Sequence, residues 1–297
     1  MISEISSKYS YVTNEVIALS RNNRIDNKSW RLVKQAILEA ASYLREDAGQ
    51  TSPPINPGNI MKLRCIQKEI DFESGGVDAI LVPISGGFII RQTRNQNIMR
   101  RRFSTAHEIG HTFFYNLKYD PPVRIMKRKY FQEEDICYAF ARELLMPMDF
   151  VKRDLSYRGT RDLRTIIELA KKYEVSPEVA ARRLLFDLSE FETSILMFIN
   201  KRQQVNNEKE IRRLYGKKVR SYLRVEEEAM VKFLLTAINE DTSIKCLKNV
   251  AEYCLGIASL EWYQTISESR LMILLNFHRS DPPPPQKMVQ LKMLDID

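Results

Sequence analysis

His107-Glu108-Ile109-Gly110-His111 puts two of the chain's three histidines in one five-residue window. On a helix, positions i and i+4 share a face, so both imidazoles can close on a single metal ion while Glu108 reaches a metal-bound water as general base. That is the chemistry of zinc-dependent peptide hydrolysis: the metal lowers the pKa of its water, the glutamate takes the proton, and hydroxide attacks a carbonyl polarised by the ion. Phe103, Phe113 and Phe114 around the motif imply a helix largely buried in a core. Two imidazoles and a carboxylate there would be costly without a compensating ion.

Hydrolytic zinc takes three protein ligands and leaves a fourth position for water. A third histidine six residues on would need Gly at 114 and His at 117, where this chain has Phe114 and Leu117. The remaining histidine, His278, falls at a predicted strand far downstream. The expected third ligand is therefore a carboxylate on a second helix, and Glu133-Glu134-Asp135 opens one. Glu134, Tyr138 and Ala141 share one face of that helix, whereas Ile136, Phe140 and Leu144 share another, so Glu134 ranks first and Glu133 second. Taken alone, an acidic helix start merely stabilises the macrodipole. Coupled to the histidine motif some two dozen residues earlier, it becomes a ligand cluster. The expected site is Glu108 as base and one Zn2+ per chain on His107, His111 and Glu134, with Tyr138, then Tyr130, as candidate oxyanion partners.

These residues need a scaffold. Residues 1–28 are polar and weakly patterned and read as an N-terminal extension. From Ser29, Trp30, Val33, Ile37, Ala40, Ala41 and Leu44 recur at helical spacing, which predicts a helix to about 44. A short helix is expected over 60–66. Apolar runs at 79–83 and 87–90 flank Ser85-Gly86 and read as a β-hairpin. The motif helix is predicted over about 104–115. Thr105 and Glu108 fit a capping-box spacing, but Glu108 cannot both reach back to a cap and face a metal. The acidic helix should run from 132 to 146 and stop at Pro147. Two more helices are expected, one ending near Tyr173 and one beginning with Ser176 as cap and Pro177 in its first turn. In the last hundred residues, 194–200 and 271–277 read as buried strands, 226–238 and 244–255 as helices, and 288–294 as a last strand after four prolines.

The bulk composition sets limits. The chain has 297 residues, 44 % of them hydrophobic, and a net charge of +8. No run approaches the ~18 uninterrupted apolar residues of a membrane span. Met1 to Tyr9 lack the apolar core of a secretory signal, so a cytoplasmic address is expected. The four cysteines (Cys65, Cys137, Cys246, Cys254) form no C-x-x-C pair and read as reduced, mostly buried thiols. Between Lys201 and Arg224, nine Lys or Arg stand against two Glu. Such a stretch offers a weak nucleic-acid contact, or no more than a solvated basic face.

The segment Arg102-Phe103-Ser104-Thr105-Ala106-His107-Glu108-Ile109-Gly110-His111 resembles the ImmA/IrrE family of metallopeptidases. The likeness continues at Ala139-Phe140-Ala141-Arg142-Glu143-Leu144-Leu145-Met146-Pro147 and ends with Val175-Ser176 and residues 181–184. With the hairpin before the motif, it covers about residues 30–188. The resemblance implies zinc on the two motif histidines and a downstream glutamate, carried over as His107, His111 and Glu134, with Glu108 as base. It further implies cleavage of a cytoplasmic regulatory protein, often a helix-turn-helix repressor. One departure stands out: where the family reads Glu-Ala-Asn before its F-A signature, this chain has Ile136-Cys137-Tyr138. If the ligand were that immediate glutamate, Ile136 would leave the site incomplete. Glu134 is favoured because related zincins place the ligand glutamate four residues before a small polar residue, which Tyr138 replaces here.

The expected fold is α+β: a mainly helical zincin-like peptidase domain with a small β-sheet over 29–188, then a smaller α+β domain over 189–297 that reads as a sensor or partner-binding module. The helical pair at about 160–188 has the rhythm of a helix-turn-helix, whose second helix would carry Arg182 and Arg183 toward a groove. DNA binding, or a regulator that captures its partner without cutting it, are the rival functions.

Overall fold

The computed structural model describes residues 8–21, 26–73, 78–94, 96–127, 130–157, 162–188, 194–205, 208–215, 245–248, 257–265 and 270–277. The chain divides into two compact units, one of residues 1–157 and 169–176, the other of 158–168 and 177–297. Their elements make an α+β architecture with a mainly helical first unit.

The first unit is built around helices. Helix α1 (Ser10–Arg21) buries Val12, Val16 and Leu19. Their 4- and 3-residue spacing is a helical stripe inside the polar, weakly patterned stretch of residues 1–28, for which the sequence reading gave no helix. Helix α2 (Asn27–Asp47) follows, capped by the Asp26 carboxylate accepting from the Ser29 amide at 2.8 Å. It buries the predicted stripe from Trp30 to Leu44. A short helix, α3 (Pro57–Met61), carries its proline in the first turn.

A three-stranded sheet comes next, in the order β1 (Ile66–Phe72), β3 (Gly87–Thr93), β2 (Ala79–Ile84). β2 and β3 are the predicted hairpin, with Ile84 paired to Gly87 across Ser85-Gly86. β1 runs parallel to β3 and was not foreseen: the expected short helix ends before Ile66, which opens the strand. Glycine is required at 87. Its φ is +137°, and a Cβ there would lie 2.0 Å from the Cys65 carbonyl oxygen. That oxygen accepts from the Phe88 amide at 2.8 Å, joining β1 to β3.

Helix α4 (Ile98–His111) carries the histidine motif and starts six residues earlier than predicted, because Asn97 caps it by accepting from the Arg100 amide at 2.8 Å. A two-stranded ladder of β4 (Tyr115–Asn116) and β5 (Val123–Arg124) leads to α5 (Phe131–Leu145), which ends before Pro147 as expected. Helix α6 (Met148–Ser156) was not predicted. Helices α7 (Leu163–Tyr173) and α8 (Pro177–Arg182) match their predicted positions, and α8 passes into a π-helical turn over Arg183–Asp187. In the first unit, α5 packs on α4 and α2, and α1 packs on α2.

The second unit contains a five-stranded antiparallel sheet in the order β7 (Glu208–Tyr215), β6 (Ser194–Val205), β10 (Arg270–Phe277), β9 (Ile257–Thr265), β8 (Lys245–Lys248). β6 and β10 are the two predicted strands, with Leu196 opposite Leu274, both fully buried. The helix expected over 244–255 is overturned at 245–248, where Lys245 to Lys248 pair with β9 as a strand. The helix expected over 226–238, the strand over 288–294 and His278 lie outside the described residues. Among the described residues, no helix is long and apolar enough to cross a membrane.

Candidate metal centre

Helix α4 is fixed at both ends of its buried half. The Gln92 side chain, wholly buried on β3, donates to the Thr105 hydroxyl at 2.6 Å. Past His111, the Arg64 Nε donates to the Thr112 hydroxyl at 2.9 Å, which donates in turn to the Ile109 carbonyl at 2.6 Å. Arg64 is buried against the Phe113 ring, 4.1 Å from its centroid, and burial pushes its pKa down to about 10. Between these anchors, every residue from Ser104 to His111 is buried. The motif therefore presents its side chains from a rigid backbone. Thr105 bonds back to the Arg101 carbonyl inside the helix, so it is no cap.

Gly110 sets the distance to α5. A Cβ built there would lie 3.1 Å from Phe140 Cδ1 and 3.3 Å from Cys137 Cα. The two helices touch across this glycine, one residue from His111. Gly110→Val is expected to cost about 1–3 kcal/mol of stability, the usual penalty for overpacking a filled interior. A urea denaturation midpoint checks it, and the variant should also take up metal more weakly, because the donors on the two helices move apart.

Three donor atoms converge across that contact. His107 Nε2 lies 3.1 Å from His111 Nε2 and 3.2 Å from a Glu134 carboxylate oxygen, and the other Glu134 oxygen lies 3.5 Å from His111 Nε2. A tetrahedral ion with bonds of about 2.0–2.1 Å requires its ligand atoms about 3.3–3.4 Å apart. Two imidazoles and one carboxylate at these separations fit such an ion, and the set matches hydrolytic zinc chemistry. His107, Glu108 and His111 are all buried, with one donor atom from each inside a 4.8 Å span. Burial alone would lower the His111 pKa, but the Cys137 sulfur and the Glu133 and Glu134 carboxylates outweigh it and hold it well above the ordinary imidazole range.

The sequence's three acidic candidates separate cleanly. Glu134 faces the two Nε2 atoms. Glu133 is fully buried and lies behind His111, its Oε1 3.0 Å from Nδ1 and its other oxygen accepting from Arg124. Asp135 is exposed. The Tyr138 ring packs on His107 with centroids 4.4 Å apart and stacks on Phe103 at 6.2 Å, while remaining 48 % exposed. Sharing a face with Glu134 brought it to the site. Tyr130 packs instead on Trp30 at 5.7 Å. Arg124 is the residue that sequence reasoning missed. No local pattern marks it, and the short β4–β5 ladder directs it at Glu133 on α5.

The three arginines ahead of the motif are each paired with an acid. Arg100 pairs with Asp78, Arg101 with Asp71 and Arg102 with Glu174. In the second unit, Arg183 is 2 % exposed and bonded to Asp187 at 3.0 Å, and Arg182 donates to Glu178 at 3.1 Å.

Among solved structures, the chain is similar to a Mycobacterium tuberculosis transcriptional regulator over 91 % of this chain and 93 % of that one, at 14 % identity and a TM-score of 0.47. No curated protein matches the chain. Residues 69–185 match the IrrE N-terminal-like domain of the M78 peptidases. That stretch holds both histidines, all three acidic candidates, Arg124 and Tyr138.

Proposed function

We propose that the chain is a zinc-dependent endopeptidase that cleaves a regulatory protein, with His107, His111 and Glu134 as metal ligands and Glu108 as general base. The observation that carries this reading is the convergence of two Nε2 atoms and one carboxylate within 3.1–3.5 Å. A zinc ion held there supplies Lewis acidity and brings the pKa of its water near 7. Glu108, buried in the same cluster, accepts the proton of the attacking water and returns it to the leaving amine. Tyr138, half-exposed against His107, is the candidate donor to the developing oxyanion. We take the substrate to be a helix-turn-helix repressor in the cytoplasm, as the family resemblance implies.

DNA binding through α8 is the weaker reading. Of the two arginines it would present, Arg183 is buried and bonded to Asp187. A recognition helix reads bases with exposed side chains.

Metal removal tests the proposal. Purified protein should carry one zinc per chain by atomic emission. A chelator should abolish cleavage of a helix-turn-helix repressor offered as substrate, and added zinc should restore it. Cleavage that persists after complete metal removal overturns the reading.

A further inference from the structure

We infer that Glu133 is a positioning residue that fixes His111 for metal, and that Arg124 holds Glu133 in place. The inference rests on the zinc reading above. His111 has two ring nitrogens with different surroundings: Nε2 faces His107 and Glu134, whereas Nδ1 lies 3.0 Å from Glu133 Oε1. The neutral imidazole that binds metal carries one ring proton, and with Glu133 Oε1 placed to accept it, that proton sits on Nδ1. That leaves a lone pair on Nε2, pointed into the donor cluster. A carboxylate bonded in this way both orients a metal-binding imidazole and raises its basicity.

The arrangement has the marks of a built contact. Glu133 is fully buried, and its second oxygen accepts from the Arg124 guanidinium, so both oxygens are engaged. Arg124 comes from β5, where it pairs with Tyr115 and lies 5.8 Å from that ring's centroid. The chain leaving the motif helix thus returns a cation to hold the acid behind the motif's second histidine. His107 has no such support. Its Nδ1 is buried without a hydrogen-bond partner among the described residues, and its ring is set by packing on Tyr138. An ion pair with its acid buried and its arginine only partly so is in itself a poor stabiliser. Its aim at one ring nitrogen gives this one a use.

The test compares full-length wild type, Glu133→Ala and Glu133→Gln by zinc competition against a chelating dye, with the visible spectrum of the cobalt-substituted protein as a second readout. Glu133→Ala should bind zinc about 10–100-fold more weakly and shift the cobalt bands. Glu133→Gln keeps an oxygen that accepts from Nδ1–H and should recover most of that loss. A merely structural role would lower the unfolding midpoint of both variants without moving zinc affinity. Affinity of Glu133→Ala within threefold of wild type overturns the inference and leaves the zinc reading intact, whereas wild type that takes up no zinc overturns both. If Glu133→Ala fails to fold, 1H–15N spectra of the zinc-loaded wild type decide: a slowly exchanging proton on His111 Nδ1 supports the inference, and metal on Nδ1 overturns it.

Discussion

Glu108→Gln should abolish proteolysis while leaving the metal in place, a fall of about 100- to 10,000-fold in single-turnover cleavage, the range that general-base catalysis supplies. The substitution is nearly isosteric, and Glu108 is buried in a helix held at both ends, so the fold has no reason to change. What changes is proton affinity: an amide cannot take the proton of the attacking water. Zinc content of the variant, measured beside its cleavage rate, separates this outcome from loss of the site. A variant that keeps one zinc and still cleaves would remove Glu108 from the mechanism.

Glu134→Ala makes the complementary prediction. It leaves two imidazoles facing each other at 3.1 Å with no carboxylate between them and the solvent. Apparent zinc-binding energies of about 10–16 kcal/mol are shared among three or four ligands, so affinity should drop about 100-fold or more. Cleavage should vanish at zinc concentrations that saturate wild type. Asp135→Ala is the control: its side chain is exposed, and dye competition should find its affinity unchanged. Equal losses at 134 and 135 would count against the assignment of Glu134.

The legible part of the fold was the part written in local periodicity. The α2 stripe, the β2–β3 hairpin and the limits of α5 at Pro147 all rest on spacing within one segment. β1 was opaque because its partner β3 lies some twenty residues on and runs parallel to it, so no turn announces the pairing. At 245–248, the strand is set by its pairing with β9, and tertiary pairing overrides the apparent helical pattern. In the site, the clustering of His107, Glu108 and His111 was readable because i and i+4 fix the relation of the two histidines. The choice between Glu133 and Glu134 was harder, since neighbours on a helix point about 100° apart and only the docking of α4 says which faces Nε2. Sequence order ranked Glu134 first from its face with Tyr138. It gave Glu133 no separate place, and the structure sets it on the other side of the same ring.

The near-contact at Gly110 ties metal supply to the survival of the helical pair. The donors belong to two helices, so an unfolded chain cannot hold the ion as the folded one does. Whatever zinc binds adds to folding stability by mass action, about 2.7 kcal/mol when free zinc is a hundred times the dissociation constant. The same relation runs backwards. Any force that parts α4 from α5 at Gly110 disperses the donor atoms together, so an ion held there would be lost in the same movement.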